Sequence, residues 1–435
     1  MSFPPAQPAP ADPRLPRRKV VVIGTGFVGA ASALEALAAG LQVTLLDPEP
    51  AGGAHAASYG NAGWLSSHSV IPPSEPGIWK KVPGYLLDPL GPLAIRWSHL
   101  PFAAGWLTRY MAAGWTAQRV EKTAFALRTL LRDAPALHQA QAAAAGVGHL
   151  IEHRGLLHVY LSRAAFAAES MAWGIRARTG VQWRELEGPA LRALEPSLHP
   201  RYQFGVVVDE AGRCCNPGAY AAALVAHAQA LGAEWVTGRA TGFRIEAGRL
   251  RAVRTTEGEI ACDAAVIAAG ARSRALAALA GDKVPLATER GYHVVIDTPE
   301  VVPHFALMAS DCKAIASPTE TGLRIAGQVE IAALDAAPDW RRADILRDLL
   351  LSIFPGLPRD VPPARLHYWL GRRPSMPDGL PCIGLARGSA DIVHAFGHGH
   401  VGLGASARTG RLVAQLLTGR PPDIALEPFS PQRFG

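Results

Sequence analysis

The apolar positions between residues 19 and 47 follow the order strand, helix, strand. KVVVIG (19–24) is a continuous apolar run typical of a buried strand, and LQVTLLD (41–47) is a second such run. Between them, TGFVGAASALEALAAG (25–40) predicts a helix that stops at a glycine. Two parallel strands joined by a helix form a βαβ unit, so this region predicts an α/β domain with a parallel sheet.

The alternation of strand and helix patterns is interrupted in the middle of the chain and then resumes. From about residue 86 to 111, Trp, Pro and Leu recur without a clean period, and an Ala/Leu/Arg pattern predicts one long helix over 123–145. NPGAYAAALVAHAQALGA (216–233) predicts a helix, and FRIEAGRLRAVRTTEGEIACD (243–263) predicts two short strands. We therefore expect the chain to leave the first domain and to re-enter it.

Strand and helix patterns continue to the end of the sequence. GYHVVID (291–297) and GLRIAGQVEI (322–331) predict strands, and WRRADILRDLLLSIF (340–354) predicts an amphipathic helix. DAAVIAAG (263–270) predicts an apolar strand that ends in glycine before a helix. The region 391–419 repeats the order strand, Gly-rich turn, helix.

Length and composition indicate a folded protein of two domains. A chain of 435 residues exceeds what one hydrophobic core usually organises, and 49% hydrophobic with 18% charged residues is typical of a globular protein. The net charge of +7 is spread along the chain, which argues against a nucleic-acid partner. No apolar stretch is long enough to span a membrane, although peripheral contact with the inner face of a membrane stays open.

The cysteines and the N-terminal residues indicate in which cellular compartment the protein works. The five cysteines show no CxxC spacing, so neither a zinc site nor a disulfide framework is expected, and a reducing, cytoplasmic compartment fits best. The first 16 residues hold six prolines and lack the apolar core of a signal peptide. We therefore expect residues 1–16 to form a disordered lead-in.

Gly24, Gly26 and Gly29 form a GxGxxG motif between a predicted strand and a predicted helix. Such glycines let the backbone turn tightly and approach a pyrophosphate, whose charge is met by the helix N-terminus. Asp47 ends the next strand about 20 residues on, where an acid accepts hydrogen bonds from ribose hydroxyls and disfavours a 2′-phosphate. The motif predicts a dinucleotide site and argues against NADP, but it leaves FAD and NAD open.

A second glycine cluster, FGHGHVGLG (396–404), also lies between a predicted strand and a predicted helix. A helix N-terminus at this place stabilises negative charge, such as that of a reduced flavin ring. His398 and His400 are candidates for acid/base groups, for metal ligands or for the wall of a ligand pocket. No cluster of Cys or carboxylate residues accompanies them, so we expect no metal.

Two further segments carry candidate substrate contacts. In GRRPSMPDG (371–379), arginines on a stiff loop suit bidentate binding of a carboxylate, and an ion pair to Asp378 is the competing interpretation. In ERGYHVV (289–295), strand alternation points Tyr292 and His293 to opposite faces. Only one of them can readily face a given pocket, and the sequence leaves open which one.

Together these motifs resemble the D-amino acid oxidase superfamily of FAD-dependent oxidoreductases, over nearly the full length of the chain. The branch that looks most similar is the bacterial D-amino acid dehydrogenase small subunit. The segments that carry the resemblance are GTGFVG (24–29), SYGNAG (58–63), ERGYH (289–293), PDGLPCIG (377–384) and GHGHVGL (397–403).

The resemblance implies a flavoprotein of mixed α/β and α+β class with two discontinuous domains. A Rossmann-type FAD-binding domain would comprise residues 17–76, 205–284 and 366–435. Residues 77–204 and 285–365 would form a substrate domain built on an antiparallel sheet.

The resemblance also assigns roles to residues. Arg373 matches the arginine that binds the substrate carboxylate, and Tyr292, His293 and His400 are the other candidates for substrate contacts. The expected FAD contacts are Gly24, Gly26, Phe27, Val28, Gly29, Asp47, Pro48, Ser58, Asn61, Ala62, Gly63, Ala240, Ala269, Gly270, Gly399, His400, Val401, Gly402 and Leu403. The chain departs from the family near Lys313, where a tyrosine is missing, and at His400 and Ala240, which replace an arginine and a valine.

The implied reaction is the oxidation of a D-amino acid, or of a proline-like D-imino acid. The carboxylate would dock on Arg373 while a hydride passes from Cα to flavin N5, and the electrons would go on to a quinone or another acceptor. A glycine- or sarcosine-type oxidase that uses oxygen is the nearest alternative. An NAD-dependent dehydrogenase and a non-catalytic subunit that holds a dinucleotide are alternatives from other classes.

Overall fold

The computed structural model describes residues 18–80, 84, 87–88, 90–91 and 93–435, so the lead-in over residues 1–16 lies outside the described residues. The helices of the described part are α1 (Phe27–Ala38), α2 (Leu100–Ala113), α3 (Ala117–Leu131), α4 (Ala134–Ala144), α5 (Arg163–Ala167), α6 (Ser170–Arg178), α7 (Gly188–Leu194), α8 (Pro217–Ala230), α9 (Ser273–Leu279), α10 (Arg341–Ile353) and α11 (Gly402–Leu417). The strands are β1 (Lys19–Ile23), β2 (Gln42–Asp47), β3 (Trp64–Leu65), β4 (Leu93–Ile95), β5 (Ile151–Glu152), β6 (Leu156–Tyr160), β7 (Arg184–Glu187), β8 (Phe204–Val208), β9 (Gly212–Cys214), β10 (Glu234–Thr237), β11 (Ala240–Glu246), β12 (Arg249–Thr255), β13 (Gly258–Ala261), β14 (Ala264–Ile267), β15 (Ala287–Ile296), β16 (Leu307–Ala309), β17 (Ala314–Thr319), β18 (Gly322–Ile331), β19 (Leu366–Ser375), β20 (Cys382–Leu385) and β21 (Ile392–Phe396). This arrangement confirms the mixed α/β fold class predicted from the sequence.

The strand β1 lies inside a six-stranded sheet with the order β10-β2-β1-β14-β21-β20. Neighbouring strands are parallel, except that β20 runs antiparallel to β21. Val20 and Val22 pack among the helices α1, α8 and α11, whereas Val21 and Ile23 pack against β11 and β12 on the other face. A strand that is buried on both faces needs apolar side chains, which explains the run VVVI (20–23) after the exposed Lys19.

Two predictions about the middle of the chain were wrong in detail. The helix expected over 123–145 is two helices, α3 and α4, because Pro135 occupies the first turn of α4 and cannot continue a preceding helix. The two strands expected over 243–263 are three antiparallel strands, β11, β12 and β13. Gly248 and Gly258 adopt positive φ angles at the two reversals of the chain.

The second large sheet has nine strands and is mostly antiparallel. Its order is β19-β15-β18-β17-β16-β6-β8-β7, with β4 paired to β18, and only the β16–β6 and β18–β4 pairs are parallel. The helix α10 packs on one face, where Leu346 and Leu350 share a core with Val294 and Ile325. The predicted FAD-binding domain includes β19 and most of β8, yet both strands pair within this sheet. The division of the chain into domains stays a prediction.

A small sheet, β3-β9-β5, lies beside the two large ones. Cys214 ends its central strand, and Cys214 and Cys215 are buried free thiols, in keeping with two small packed side chains. Across the ranges that the structure describes, we find no helix that is both long and apolar enough to cross a bilayer.

Candidate functional site

A cavity of about 1160 Å³ is lined by both large sheets. From the six-stranded sheet it takes the carboxyl ends of β1 and β2 and the segment after β14, and from the nine-stranded sheet it takes β15, β18 and β19. Ligands of parallel sheets bind outside the carboxyl ends of the strands. The volume exceeds the roughly 300–1,000 Å³ of ordinary small-molecule pockets, so the cavity has room for an extended ligand.

The loop between β1 and α1 brings backbone to the cavity wall. Gly24 has a φ of +96°, and a Cβ atom there would lie 2.6 Å from the Ala268 carbonyl oxygen, so this position requires glycine. Gly26 precedes the first residue of α1, and the backbone N–H of Phe27 donates to Ser58 Oγ over 3.1 Å. The positive end of the α1 dipole therefore faces the cavity with a hydroxyl beside it.

The Asp47 carboxylate lies at the end of β2 and borders the same cavity. Its Oδ2 accepts hydrogen bonds from the backbone N–H of Thr25 over 2.8 Å and from the Thr25 hydroxyl over 3.0 Å, and its Oδ1 accepts one from Glu49 N–H over 3.1 Å. An ionised carboxylate has about four acceptor sites, so Asp47 keeps capacity for ribose hydroxyls. These bonds also fix the loop that contains Gly24 and Gly26.

The segment from Ser58 to Gly63 extends the wall away from α1. Asn61 Oδ1 accepts a hydrogen bond from Gly63 N–H over 2.8 Å, and the Asn61 carbonyl accepts one from Arg324 Nη1 over 2.6 Å. Arg324 is buried, so it anchors this segment to the nine-stranded sheet. Gly63 itself does not border the cavity; its φ is +77°, and a Cβ there would lie 2.3 Å from the Cys214 carbonyl oxygen.

The second glycine cluster forms the wall between β21 and α11. Every residue from His398 to Gly404 borders the cavity. His398 is buried and its Nε2 lies 3.0 Å from Thr409 Oγ1, so this imidazole supports the turn. The His400 side chain opens into the cavity; desolvation by the surrounding cavity walls, followed by the charge of Arg373, lowers the pKa of His400 to about 4. His400 is therefore neutral at pH 7.

Among the described residues, no group of three or more His, Cys, Asp or Glu side chains is placed to hold a metal ion. The cavity does fit FAD on three observations: the Gly24 turn that no Cβ can enter, the N-terminus of α1 that faces the cavity, and the acceptor at the end of β2. The pyrophosphate would lie at Gly26 and Phe27, and the ring against the 399–403 turn.

Arg373 lies on β19 with its side chain toward the cavity. A Cβ added to Gly291, on the adjacent strand, would lie 2.4 Å from Arg373 Nη2, so the missing side chain of Gly291 leaves room for the guanidinium. Within the described part of the chain, Arg373 forms neither a hydrogen bond nor an ion pair with another residue. It presents five unused donors to the cavity, the arrangement that binds a carboxylate in bidentate fashion.

The competing interpretation of the GRRPSMPDG segment was wrong. Asp378 pairs with Arg433 over 2.7 Å rather than with either arginine of the segment. Arg372 points away from Arg373 and donates from Nε to the Leu334 carbonyl over 2.8 Å. The segment also begins as a strand and not as a loop; Pro374 is tolerated there because β19 is the edge of the sheet.

Tyr292 and His293 do lie on opposite faces of β15, as strand alternation predicts. Tyr292 is among the residues that line the cavity, but its buried side chain lies on the face of Arg290, where its hydroxyl donates to Glu330 Oε2 over 3.0 Å and accepts from Asp339 N–H over 3.0 Å. His293 does not border the cavity: its ring stacks on Trp369 with centroids 4.8 Å apart, and its Nδ1 lies 3.2 Å from the Gly60 carbonyl oxygen. Trp369 thus stands between His293 and the ligand space.

The cavity brings together most of the residues that the sequence singled out. Gly29, Gly63 and His293 do not border it. Gly29 packs against the Gly24 turn, and a Cβ added to Gly29 would lie 1.8 Å from the Gly24 carbonyl oxygen. The predicted residues that border the cavity are Gly24, Gly26, Phe27, Val28, Asp47, Pro48, Ser58, Asn61, Ala62, Ala240, Ala269, Gly270, Tyr292, Arg373, Gly399, His400, Val401, Gly402 and Leu403. Their roles in binding stay predictions.

Sequence reasoning missed an aromatic wall and a carboxylate. Trp106 and Tyr110 on α2 stack with centroids 5.1 Å apart, and Trp106 Nε1 donates to the Ser375 carbonyl over 3.2 Å. Their spacing of four residues on a helix was a usable signal. Glu289 also borders the cavity and lies directly across from Arg373 in the β15–β19 register. It stands in the ERGYH segment that the sequence singled out for its tyrosine and histidine.

Residues 19–416 match a protein family described as FAD dependent oxidoreductase, DAO. A D-amino-acid oxidase of Bradyrhizobium diazoefficiens is 63% identical over 417 residues, which cover 96% of this chain and 99% of the relative. A D-amino acid dehydrogenase of Paramagnetospirillum magneticum is 30% identical, with 96% of this chain and 99% of the relative covered.

Solved structures share the fold at lower identity. Glycine oxidase from Geobacillus kaustophilus superposes with a TM-score of 0.72 at 20% identity, covering 95% of this chain and 98% of that one. L-proline dehydrogenase from P. horikoshii gives a TM-score of 0.71 at 18% identity, covering 97% and 98%. At these identities the likeness concerns the fold alone.

Proposed function

The chain belongs to the DAO family of FAD-dependent oxidoreductases, and from this premise we propose that it oxidises D-amino acids to the corresponding imino acids. Two observations support the substrate class. The 63% identical relative is named a D-amino-acid oxidase. The cavity also holds a cationic side chain, Arg373, that no described residue neutralises by an ion pair and that a substrate carboxylate would fit.

Different residues around the cavity would bind FAD and the substrate. Asp47, Ser58 and the first turn of α1 would hold the dinucleotide part of FAD, and the 399–403 turn would face its ring. When bound, FAD supplies a hydride acceptor for the substrate Cα. The chain's own contribution is to fix the carboxylate at Arg373, with Trp106 and Tyr110 closing the cavity on the side of α2.

The unpaired guanidinium of Arg373 is the observation that carries the proposal. The half-buried guanidinium opens into the cavity with no carboxylate of the described residues at ion-pair distance, so a carboxylate that binds there gains a charge-assisted, bidentate partner. Gly291 removes the side chain that would otherwise fill this space. A 2-amino acid provides the missing carboxylate and places its Cα within the same cavity.

We propose oxygen as the electron acceptor, since the relative at 63% identity is named an oxidase. Transfer to a quinone or another acceptor is the second candidate, because relatives at 28–30% identity are named dehydrogenases. A cytoplasmic location and peripheral membrane contact stay predictions.

The test uses the purified holoprotein, which we expect to be yellow and to absorb as a flavin. D- and L-amino acids are added without oxygen, and bleaching of the flavin is recorded. We expect bleaching by D-amino acids and not by their L-enantiomers. A protein that no D-amino acid bleaches would contradict the proposal and favour a subunit that only holds the dinucleotide.

The acceptor is tested in the same preparation. We expect air to reoxidise the bleached flavin and to yield one hydrogen peroxide per amino acid. Rapid reduction of a quinone analogue with little peroxide would instead favour the dehydrogenase alternative. A panel that includes glycine and N-methylglycine separates the amine oxidase alternative from both.

A further inference from the structure

Glu289 and Arg373 are direct neighbours across two antiparallel strands. They are register partners in the β15–β19 pair, so both side chains leave the sheet on the same face. Both border the cavity. A carboxylate and a guanidinium therefore open into the same ligand space, at the spacing of one cross-strand pair.

The two charges do not neutralise each other by direct contact. No ion pair within 4.0 Å joins Glu289 to Arg373 or to another of the described residues. The nearby Ser375 side chain favours the ionised form of the Glu289 carboxyl. Cross-strand partners of opposite charge usually close into an ion pair, so an open pair inside a cavity leaves room for a ligand between the two groups.

The surroundings keep this pair free of other charges. On the β18 side Glu289 faces Ile331, which is apolar, and on the β19 side the charged group is Arg373. His400, from the glycine-rich turn, is neutral at pH 7, in part because the charge of Arg373 lowers its pKa. Arg290, the next residue on β15, lies on the opposite face and pairs with Glu330 over 3.0 Å.

A 2-amino acid carries two charges on adjacent groups, a carboxylate and an ammonium. The ammonium nitrogen must lose a proton before its lone pair can form a C=N bond to Cα. Resting on the function proposed above, we propose that Glu289 binds the ammonium group of the substrate and accepts one of its protons, while Arg373 holds the carboxylate.

The proton balance of this step is complete within the pair. One N–H bond of the ammonium breaks, its electron pair stays on nitrogen, and the proton forms an O–H bond with Glu289. The amino group of the substrate is then a neutral amine, Glu289 is a neutral carboxylic acid, and the substrate carboxylate keeps its charge at Arg373. Burial disfavours the carboxylate form of Glu289 and the ammonium form of the substrate. It therefore raises the pKa of Glu289 and lowers the pKa of the ammonium, so the proton passes more readily from nitrogen to Glu289.

Burial also acts on the free protein. It raises the pKa of the Glu289 carboxyl, and the charge of Arg373 and the nearby Ser375 side chain offset this rise only in part. A carboxyl with a raised pKa is better matched to a proton from an amine than an ordinary surface carboxyl.

The binding test uses two ligands of nearly equal shape that cannot be oxidised. 2-Aminoisobutyrate has an ammonium and a carboxylate but no Cα hydrogen, and pivalate carries a methyl group in place of the ammonium. Their dissociation constants are measured with the holoprotein by calorimetry or by the shift of the flavin spectrum. We expect the wild type to prefer 2-aminoisobutyrate, Glu289→Gln to lose about tenfold of that preference, and pivalate binding to stay within about twofold.

Two outcomes overturn the proposal while leaving the proposed function intact. If Glu289→Gln weakens both ligands equally, Glu289 only positions Arg373. If it weakens neither, Glu289 does not contact the ammonium. Asp335→Asn is the matched control, because Asp335 is an exposed acid near Arg372 and should leave both constants unchanged. If the wild type binds neither ligand and no D-amino acid bleaches the flavin, the proposed function fails instead.

The pH profile tests the proton transfer separately from binding. Glu289 accepts a proton only when ionised, so kcat/KM of the wild type should rise with pH through the Glu289 pKa and then level off. In Glu289→Gln the rise should move up to the pKa of the substrate ammonium, and kcat/KM at pH 7 should fall about 100-fold. Superimposable profiles of wild type and variant would refute the proton transfer.

Discussion

The two ends of the cavity are built in different ways. The dinucleotide end is formed mainly by backbone within 29 residues of sequence, 19–47. The chain turns at Gly24, α1 begins after Gly26, and Asp47 holds the loop by a hydrogen bond from Thr25 N–H. At the substrate end, side chains make the site, and Glu289 and Arg373 meet only because β15 and β19 pair in one register. A site formed by local backbone tolerates substitution of its side chains. A site formed by side chains on paired strands depends on the register of every strand involved.

This difference teaches how the two functions are separated in the molecule. The dinucleotide end is common to many chemistries, since it recognises phosphate and ribose by geometry that any Rossmann turn supplies. The substrate end selects the reaction through a few charged and aromatic side chains of the nine-stranded sheet and α2. Each of the following variants is expected to damage one end and spare the other.

The largest expected effect is that of Arg373→Ala. Removing the guanidinium takes away the anchor of the substrate carboxylate, so kcat/KM for a D-amino acid should fall about 1,000-fold. The flavin content, read from the absorbance ratio at visible and ultraviolet wavelengths, should match the wild type. Arg373→Lys keeps the charge but loses the bidentate geometry and should retain only a small part of the activity.

Gly24→Ala should act at the other end. The new methyl group meets the Ala268 carbonyl and the backbone is held at a positive φ, which together cost about 1–3 kcal/mol of strain. We expect loss of bound FAD and a lower melting temperature. Gly105→Ala on the exposed face of α2, where nothing lies within 4 Å, is the matched control: it should keep the flavin content and should not lower the melting temperature, because Ala favours a helix over Gly. Normal flavin content in Gly24→Ala would contradict the role of this turn.

Gly291→Ala is expected to disturb the substrate end without removing a charge. The added methyl group would lie 2.4 Å from Arg373 Nη2, so the guanidinium must move. A displaced anchor should lower kcat/KM about tenfold, mainly through KM, with full flavin content. Unchanged kinetics would mean that the guanidinium does not rest over Gly291 when substrate is bound.

Ser58→Ala should have the smallest effect. It removes the hydroxyl that accepts the Phe27 N–H at the start of α1, and a lost cap of this kind costs about 1 kcal/mol. The apparent FAD affinity should fall a few-fold while the amino acid KM of the loaded enzyme stays the same. The measurement is a titration of the apoprotein with FAD followed by flavin fluorescence.

The two ends also differ in how far the sequence predicts them. The βαβ unit was predicted almost residue by residue, because its signals are local: an apolar run, glycines at fixed offsets and an acid at the end of β2. The cavity side of Tyr292 and His293 was undecided, because alternation along β15 fixes only that they differ. Which face is the cavity depends on β18 and β19, which arrive later in the chain.

Glu289 shows the same limit more sharply. In sequence it is one acid in a strand-like segment, 84 positions before Arg373, and nothing local relates the two. The pairing of β15 with β19 sets them opposite each other. The end of α3 before Pro135 could, in contrast, be predicted locally, because proline cannot continue a helix. The long Ala-rich pattern favoured one continuous helix instead.

The position of β1 has a consequence for synthesis of the protein on the ribosome. β1 pairs with β14, more than 240 residues later, and α1 packs against α11, which ends at Leu417. β1 and α1 therefore wait for β14 and α11 to be synthesised before they are covered. We expect the nascent chain to need shielding from aggregation and to bind FAD only after α11 has formed, since contacts between distant segments form late.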